Sequence, residues 1–454
     1  MNKTPVVLTI AGSDSGGGAG VEADVKTFAA LGVHGTCAIT SVTSQNTTGV
    51  LSSYNIPPDV VADQIDAVCI DMDIEYAKTG MLASPDIVLA VAERIKKYNL
   101  STVVDPVMAA EAGGELLKKD ALSFILDELL PLSKVVTPNI YETSALSGIS
   151  IKNHNDARNA ATIIGETGVH TVIITGGHFD ASDLVYETEK ETFTVISGDF
   201  IKGGTHGSGC TYSAAVAAYL AQGFTIVEAA RQAKRFVEHA IEGSVPVGTG
   251  VPPVNQLSHI RRTAACYHVL QDMKMAVEMI KNCISFPYLI PEVGCNIAMA
   301  IPQAGNVEDV AAVAGRIVKL KDMPAVVGCV EFGASSHVAR IILAAMQSDA
   351  FVRAAINVRY SKKVLRIIDE MGLRVSYFDR AEEPAHTSTM DWGVTHAIEI
   401  HGSVPDVVYD EGGVGKEPMV RILGKSATDV AGIAVDIANR FESISSTHLI
   451  NPTN

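Results

Sequence analysis

The chain opens with an apolar run, PVVLTIA (residues 5–11), which gives way to the polar, glycine-rich GSDSGGGAG and then to VEADVKTFAALG, whose apolar positions recur with helical spacing. This predicts a strand, a tight turn and an amphipathic helix. Short apolar runs return as STVVDPV, KVVTPN and HTVIITGG, with helical patterns between them at about residues 85–98, 118–130 and 155–166. Such alternation predicts βαβ units with right-handed crossovers and a parallel sheet, which binds ligands at the carboxyl ends of its strands. The polar residues falling there are Asp14, Asp105, Asn139 and Gly176.

The pattern breaks at GSVPVGTGVPPVNQ, residues 243–256, where proline and glycine interrupt all periodicity and a linker is expected. Beyond it, LSHIRRTAACYHVLQDMKMAVEMIKNCI predicts one long helix. A second α/β segment follows, with MPAVVGCVEF, AAINVRY, THAIEIH and DVVYDEGG as strand candidates. The expectation is two α/β domains, residues 1–255 and 262–454.

Composition narrows the class. With 47% hydrophobic residues, rich in small side chains, and one tryptophan, the chain suits buried strands covered by small-residue helices. No apolar run is long enough to span a bilayer and no leader pattern is present, so a cytoplasmic location without membrane partners is expected. Seven cysteines form neither a CxxC pair nor a Cys/His cluster, which predicts free thiols rather than a zinc site or a disulfide framework. Residues 1–255 hold 16 Lys and Arg against 29 Asp and Glu, and residues 256–454 hold 19 against 22, so neither part looks like a nucleic-acid binder.

Two glycine-rich loops carry the candidate chemistry of the first part, and neither fits a Walker or dinucleotide fingerprint. In GGTHGSGCTYSAAVAAYLAQG (residues 203–223), Cys210 falls where the second loop becomes an alanine-rich helix. The N–H groups and dipole of a helix start favour anions and lower a thiol's pKa. A small buried packing residue is the alternative.

Taken in order, TIAGSDSGGGAGVEADVKTFAALGVHG, TSQNT, KTGML, VVDPVM, TPNIYE, TGGH and THGSGCTYSAA resemble the hydroxymethylpyrimidine and hydroxymethylpyrimidine-phosphate kinases of thiamine biosynthesis, which have a ribokinase-like fold. The resemblance implies two ATP-dependent phosphoryl transfers with Mg²⁺. It implies that Asp24 and Gln45 hold the pyrimidine and that Met81 and Met108 line the pocket. Asp105, Asn139 and Glu142 would lie near the Mg²⁺-nucleotide, with Gly207, Ser208, Gly209 and Cys210 offering an anion hole. Cys210 is implied as general base, at the position where sugar kinases of the superfamily carry an aspartate. A homodimer formed through this domain is also a family expectation. Thr175 departs from the pattern, since many members carry lysine in a KGGH motif; if that lysine contacts phosphate, the expectation is either a substitute cation or lower turnover. Glu22 stands where Gln is common.

In the second part, basic residues sit beside glycine or small-residue turns: Arg316, His337, Arg340, Arg380 and Lys416, with Ser335 and Ser336 in GASSHVAR. A phosphorylated ligand is expected, solvated surface charge being the alternative for each residue alone. YLIPEVGCNIAMA, DVAAVAGRIV, VEFGASSHVARIILAAM and PDVVYDEGGVGKEPMVRILG resemble the archaeal-type thiamine-phosphate synthase domain, of class II aldolase/epimerase-like fold. That resemblance implies coupling of hydroxymethylpyrimidine diphosphate to hydroxyethylthiazole phosphate. Arg316 and His337 are the implied catalytic pair, and Ser335, Ser336, Arg340, Arg380 and Lys416 the implied phosphate contacts. A non-catalytic thiamine-phosphate sensor is the alternative for this part, and a pyridoxal or sugar kinase for the first.

Overall fold

The first apolar run forms β1 (Val6–Asp14), and because successive side chains of a strand point to opposite faces, it feeds two cores at once. Leu8 and Ile10 pack with Val88 and Val91 of the helix Pro85–Tyr98. Val7 packs on the other face with Phe28 and with Ala214–Ala218 of the helix Ser208–Ala221. That helix is apolar on all sides, which suits an element buried between sheet and neighbouring helices. The computed structural model describes residues 4–108, 121–177, 180–383 and 389–449, and the chain divides into two compact units, Met1–Ile260 and Arg261–Asn454.

The remaining strands of the first unit are β2 (His34–Asn46), β3 (Gly49–Asn55), β4 (Tyr76–Thr79), β5 (Ser101–Val104), β6 (Ser133–Val136), β7 (Thr171–Ile174), β8 (Asp183–Glu187) and β9 (Thr192–Ile196). They form one sheet in the order β3-β2-β1-β4-β5-β6-β7-β8-β9. Neighbours from β2 to β7 run parallel, and the margins β2–β3, β7–β8 and β8–β9 are antiparallel. The helices predicted near 85–98 and 155–166 are Pro85–Tyr98 and His154–Gly165. The one predicted at 118–130 is described from Ala121, a short helix to Phe124 continuing as a π-turn, Ile125–Leu129; its first residues lie outside the described ones.

The stretch 243–256 is not a free linker, because its backbone is spent on the first unit. Ser244 Oγ accepts from the Gly204 N–H (2.7 Å), Val251 donates to the Thr47 carbonyl (2.9 Å) and Val254 to the His206 carbonyl (3.1 Å). The long helix follows as Ser258–Lys281, and its buried face is Val269, Met273, Ala276, Val277 and Ile280.

In the second unit, β10 (Ile297–Ala300), β11 (Val310–Val313), β12 (Ile317–Leu320), β13 (Met323–Val326), β14 (Val330–Phe332), β15 (Ala354–Arg359), β16 (Val375–Tyr377), β17 (Val407–Asp410) and β18 (Met419–Gly424) are the strands. Seven of them form a sheet ordered β14-β11-β10-β15-β18-β17-β16, antiparallel throughout except for β16–β17, with β12–β13 a separate hairpin. Ile297 and Met299 face a core shared with Val277 and Val430, while Ala298 and Ala300 face one shared with Ile341 and Val394. Helices therefore cover both faces of the sheet. THAIEIH, expected as a strand, lies instead in the helix Thr389–His401. Val394, Ala397 and Ile398 are buried at helical spacing, whereas Ile400, which a strand would have placed beside Ile398, is 55% exposed. Among the described residues no helix is long and apolar enough to cross a membrane.

The close approach of the two glycine-rich loops decides which glycines are required. Gly207 has φ +82° and a Cβ there would stand 1.8 Å from the Gly18 carbonyl oxygen, while Gly223, at φ +90°, faces open space. Gly223→Ala is expected to cost only the left-handed backbone penalty of about 1–2 kcal/mol. Gly207→Ala adds a backbone collision, so its thermal midpoint should fall clearly further. Equal midpoints in parallel melts would show that the loops can separate at no cost.

Candidate active sites

The first unit holds a cleft of about 750 Å³ at the carboxyl ends of its central strands, where both glycine-rich loops meet. Asp14 ends β1, and its carboxylate accepts from the N–H groups of Gly16 (2.8 Å), Gly18 (3.0 Å) and Ala19 (2.9 Å). His206 in the second loop stands 3.1 Å from the same carboxylate. Burial alone would raise Asp14, but His206 and these N–H groups outweigh it and hold the carboxyl below its ordinary value. Three of the first loop's N–H donors are thus committed to the Asp14 carboxylate, whose place the strand-end pattern located without revealing its partner.

Gln45 lines the cleft with its amide nitrogen 3.4 Å from His206 Nε2, and Met81 and Met108 line it as well. Asp24 does not line it, which corrects the expectation that it meets the substrate. It is fully buried beneath the cleft: Thr9 Oγ1 donates to it at 2.5 Å, and Lys78 Nζ lies 3.0 Å and 3.1 Å from its two oxygens. Lys78, itself fully buried, stands 3.8 Å from Asp105 as well. Against the desolvation that burial imposes, Asp24, Cys210 and Asp105 hold its ammonium well above the ordinary lysine range. The sequence offered KTGML but no sign that its lysine sits at this centre. Gly80 makes the room, since a Cβ there would stand 3.0 Å from Lys78 Nζ.

Cys210 is the third residue of the helix Ser208–Ala221, and it lines the cleft. The expectation of a lowered thiol pKa is overturned. Burial pushes the thiol up to about 12, with Asp105 and Asp24 adding to the rise, while Lys78 and the Gly20 N–H, which donates to the sulfur, act against it. A helix N-terminus is too weak to reverse that sum. Ser208 is also unavailable as an anion-hole donor, because its N–H is given to the Thr205 carbonyl (2.9 Å); Gly207 caps the helix without a side-chain hydrogen bond.

Asn139 and Glu142 form a capping box. Asn139 Oδ1 accepts from the Tyr141 and Glu142 N–H groups (both 2.9 Å), and Glu142 Oε2 accepts from the Asn139 N–H (2.9 Å). The N-x-x-E spacing carried that signal. Glu142 is pushed up to about 8 by burial and by the Asp105 carboxylate, so the two acids share one electrostatic environment. Among the described residues no group of three or more His, Cys, Asp or Glu stands together as a metal site. Two oxygen donors plus phosphate oxygens nevertheless suit a hard divalent cation. Thr175 lines the same cleft, next to Gly176, whose N–H donates to Asp183 Oδ1 (3.1 Å). Lys234 Nζ lies 3.1 Å from that same oxygen, which brings a cation beside the Thr175–Gly176 turn. His178 lies outside the described residues.

The second unit has a cavity of about 540 Å³ lined by Asn296, Arg316, Ser335, Ser336 and His337. Asn296 builds its wall: its side chain donates to the Val313 and Gly315 carbonyls (3.0 and 3.2 Å), and its N–H donates to Asn357 Oδ1 (2.8 Å). Arg316 folds back to donate to the Val293 carbonyl. Ser335 caps the helix Ser336–Ser348 by backbone position without a side-chain hydrogen bond. His337 is open to solvent on the cavity side, yet the surrounding protein, then Arg421, Arg380 and Arg316, hold its imidazole down at about 4. Arg380 is bound to Asp410 by Nε (2.5 Å) and Nη2 (3.1 Å). Arg340 and Lys416 do not line the cavity, and Lys416 lies 3.6 Å from Glu383.

A central parallel sheet with antiparallel margins, two apposed glycine turns and an acidic, helix-capped cleft define an ATP-dependent small-molecule kinase of ribokinase-like fold, joined here to a second α/β unit. The chain belongs to the phosphomethylpyrimidine kinase family, in the form that carries a thiamine-phosphate synthase domain behind the kinase. The family model described as phosphomethylpyrimidine kinase matches residues 14–255, and one described as thiamine-phosphate synthase ThiN matches residues 272–436. The chain is similar to the bifunctional thiamine biosynthesis protein ThiDN of Methanocaldococcus jannaschii, at 35% identity over 94% of this chain and 96% of that protein. It is also similar to the hydroxymethylpyrimidine/phosphomethylpyrimidine kinase of Rhizobium meliloti, at 41% identity over 56% of this chain and 97% of that one. Among solved structures, an ADP complex of Bacillus subtilis pyridoxal kinase superposes with a TM-score of 0.53 at 37% identity, covering 57% of this chain and 99% of that one.

Two outcomes follow from the buried charges. Removing Lys78 leaves Asp24 without its cation, so Lys78→Met should lose about 3–5 kcal/mol of stability in denaturant titration, far more than an exposed Lys→Met change. Cys210 should alkylate with iodoacetamide at a rate that climbs roughly tenfold per pH unit between about pH 7 and 10, without a plateau. A plateau below pH 8, read by mass spectrometry of the Cys210 peptide, would mean that the thiolate already prevails.

Proposed function

We propose that this protein phosphorylates hydroxymethylpyrimidine and then its monophosphate with ATP, and couples the resulting diphosphate to hydroxyethylthiazole phosphate, giving thiamine phosphate and pyrophosphate. The observation that carries the reading is the pairing, in one chain, of a kinase cleft where Cys210, Asp105 and Glu142 converge with a separate cavity where Arg316 and His337 converge.

In the cleft, the pyrimidine lies against Gln45, Met81 and Met108, and its hydroxyl approaches Cys210. The resting thiol is neutral, so Cys210 becomes a base only when the charges around it change; neutralising the Asp105 carboxylate removes one of the charges that hold it up. Asp105 and Glu142 are the residues that would hold Mg²⁺, which supplies charge neutralisation on the nucleotide phosphates when bound. Asn139 orients Glu142 through the cap. Lys234 provides the cation that Thr175 does not.

In the cavity, catalysis consists chiefly of binding the leaving diphosphate as the pyrimidine methylene carbon becomes positive. Arg316 clamps the diphosphate, Ser335, Ser336 and the helix start donate to it, and His337 supplies a proton or a phosphate contact. The helices on both faces of the sheet support a class II aldolase/epimerase-like architecture for this unit. Two domains with a boundary near residues 255–262, a homodimer through the kinase unit and a cytoplasmic location complete the reading.

Similarity to solved pyridoxal kinases favours pyridoxal as a second substrate candidate. Incubation with ATP, Mg²⁺, hydroxymethylpyrimidine and hydroxyethylthiazole phosphate should yield thiamine phosphate by mass spectrometry. Cys210→Ala should lower kinase turnover roughly 10²–10⁴-fold and leave coupling of supplied pyrimidine diphosphate intact. His337→Gln should do the reverse. Phosphorylation of pyridoxal in preference to the pyrimidine would transfer the assignment to the second substrate.

A further inference from the structure

Two strands over from Asn357, which pairs in register with Arg421 and accepts from the N–H of the cavity-wall residue Asn296, one carboxylate serves two guanidinium groups. Asp410, fully buried at the end of β17, takes the bidentate Arg380 and also lies 2.8 Å from Arg421 Nη2. Arg421 comes from β18 and is 1% exposed, and among the described residues its Nε has no hydrogen-bond partner. The Gly412 N–H adds a further donor to Asp410 (2.9 Å). A cluster of two cations and one anion keeps a net positive charge, and water cannot screen it there. Arg316 adds a third guanidinium from the cavity wall, and the uncapped start of the helix Ser336–Ser348 adds its dipole.

Resting on the synthase reading above, we infer that Arg421 and Asp410 belong to that site as positioning residues. With Arg380 they direct a positive field at His337, so that diphosphate binding and proton uptake by the imidazole occur together.

The groups acting on His337 are Arg421, Arg380 and Arg316, opposed by Asp410. Glu308 and Arg359 also lie on elements packed against its helix, whereas Asp309 and His396 there are engaged elsewhere. Asp309 is held by Arg262 and accepts from the Gly305 N–H (2.8 Å), and His396 lies between Glu382 (3.5 Å) and Glu399 (3.8 Å). Burial and the three arginines keep the ring uncharged well below neutral pH. A diphosphate brings several negative charges into the cavity and cancels the field, which reverses the sign of the effect on the ring. The proton comes from solvent, and it is then available at Nδ1 or Nε2 for the leaving group. The acid would thus be created by the substrate it serves.

The test is calorimetric titration of the full-length protein with inorganic pyrophosphate, in buffers of different ionisation enthalpy at pH 6.5. His337→Gln is run in parallel, so that proton exchange by pyrophosphate itself and by the kinase cleft cancels in the difference. Wild type should take up more protons per bound pyrophosphate than His337→Gln, by an amount approaching one. The His337-dependent part of the affinity should weaken about tenfold per pH unit between the free ring's pKa and the bound ring's, and level off both below and above that window. Arg421→Met should reduce the extra uptake because the free ring then titrates higher, and Arg421→Lys should restore it. Equal uptake in wild type and His337→Gln, with pyrophosphate bound in both, overturns the inference and leaves the synthase site standing. Loss of all second-unit binding, seen as identical titrations of wild type and an Arg316→Met/His337→Gln double variant, overturns both. Should Arg421→Met fail to fold, the wild-type and His337→Gln comparison decides by itself.

Discussion

A lysine ammonium without water around it must be surrounded by negative charge, and Lys78 fixes where that charge goes. It draws Asp24 under β1 and β4, stands 3.8 Å from Asp105 at the end of β5, and sits close enough to Cys210 to act on its thiol. Three separate chain segments, including the start of the helix Ser208–Ala221, are thereby tied to one point beneath the cleft. Gly80 leaves space for the ammonium, and Thr9 completes the environment of Asp24. Burial of such a network costs stability relative to an apolar packing of the same volume, so its value lies in specificity of arrangement rather than in stabilisation. Removal of any one partner strands another charge in a medium that cannot solvate it.

The fold was legible where hydrophobic period and element length agree. β1, β5, β6, β7 and the helices Pro85–Tyr98 and His154–Gly165 are short apolar runs or amphipathic stretches bounded by turn residues, and local pattern is sufficient for them. THAIEIH failed because alternation over seven residues is also compatible with a helix whose buried positions are Val394, Ala397 and Ile398. The stretch 243–256 failed for a different reason. Proline and glycine do exclude regular structure there, but exclusion of helix and strand says nothing about whether the backbone is bound, and here Thr47 and His206 bind it.

The sites were legible by position along the strands and less so by role. Asp105, Gln45, Met81, Met108 and Cys210 converge on one cleft because parallel strands deliver their carboxyl ends to the same edge. Asp24 could not be placed correctly, since its contacts are with Lys78 and Thr9, which no local spacing connects to it. The same holds for Lys234 beside Thr175, and for the Arg380–Asp410–Arg421 cluster, whose members come from a short 3₁₀ turn and two strands. Long-range charge pairing leaves no periodic trace. It becomes visible only when the sheet has been assembled.

The two sites share an electrostatic logic with opposite signs. In the kinase cleft, burial, with the Asp105 and Asp24 carboxylates adding to it, holds the Cys210 thiol up at about 12, so the candidate base is protonated at rest. In the second cavity, burial and guanidinium groups hold His337 down at about 4, so the candidate acid is unprotonated at rest. On the function proposed above, the charge that would change each state is of the opposite kind: cations accompanying a nucleotide in the first case, a diphosphate in the second. A thiolate or an imidazolium present before loading would be exposed to water and to wasteful proton exchange. Coupling of protonation to occupancy, as proposed above, would confine the reactive form to the loaded site and would draw on the buried charges of Asp24, Lys78 and Asp105 on one side and of Arg380, Asp410 and Arg421 on the other. Burial, together with the charges of those clusters, sets the two resting protonation states.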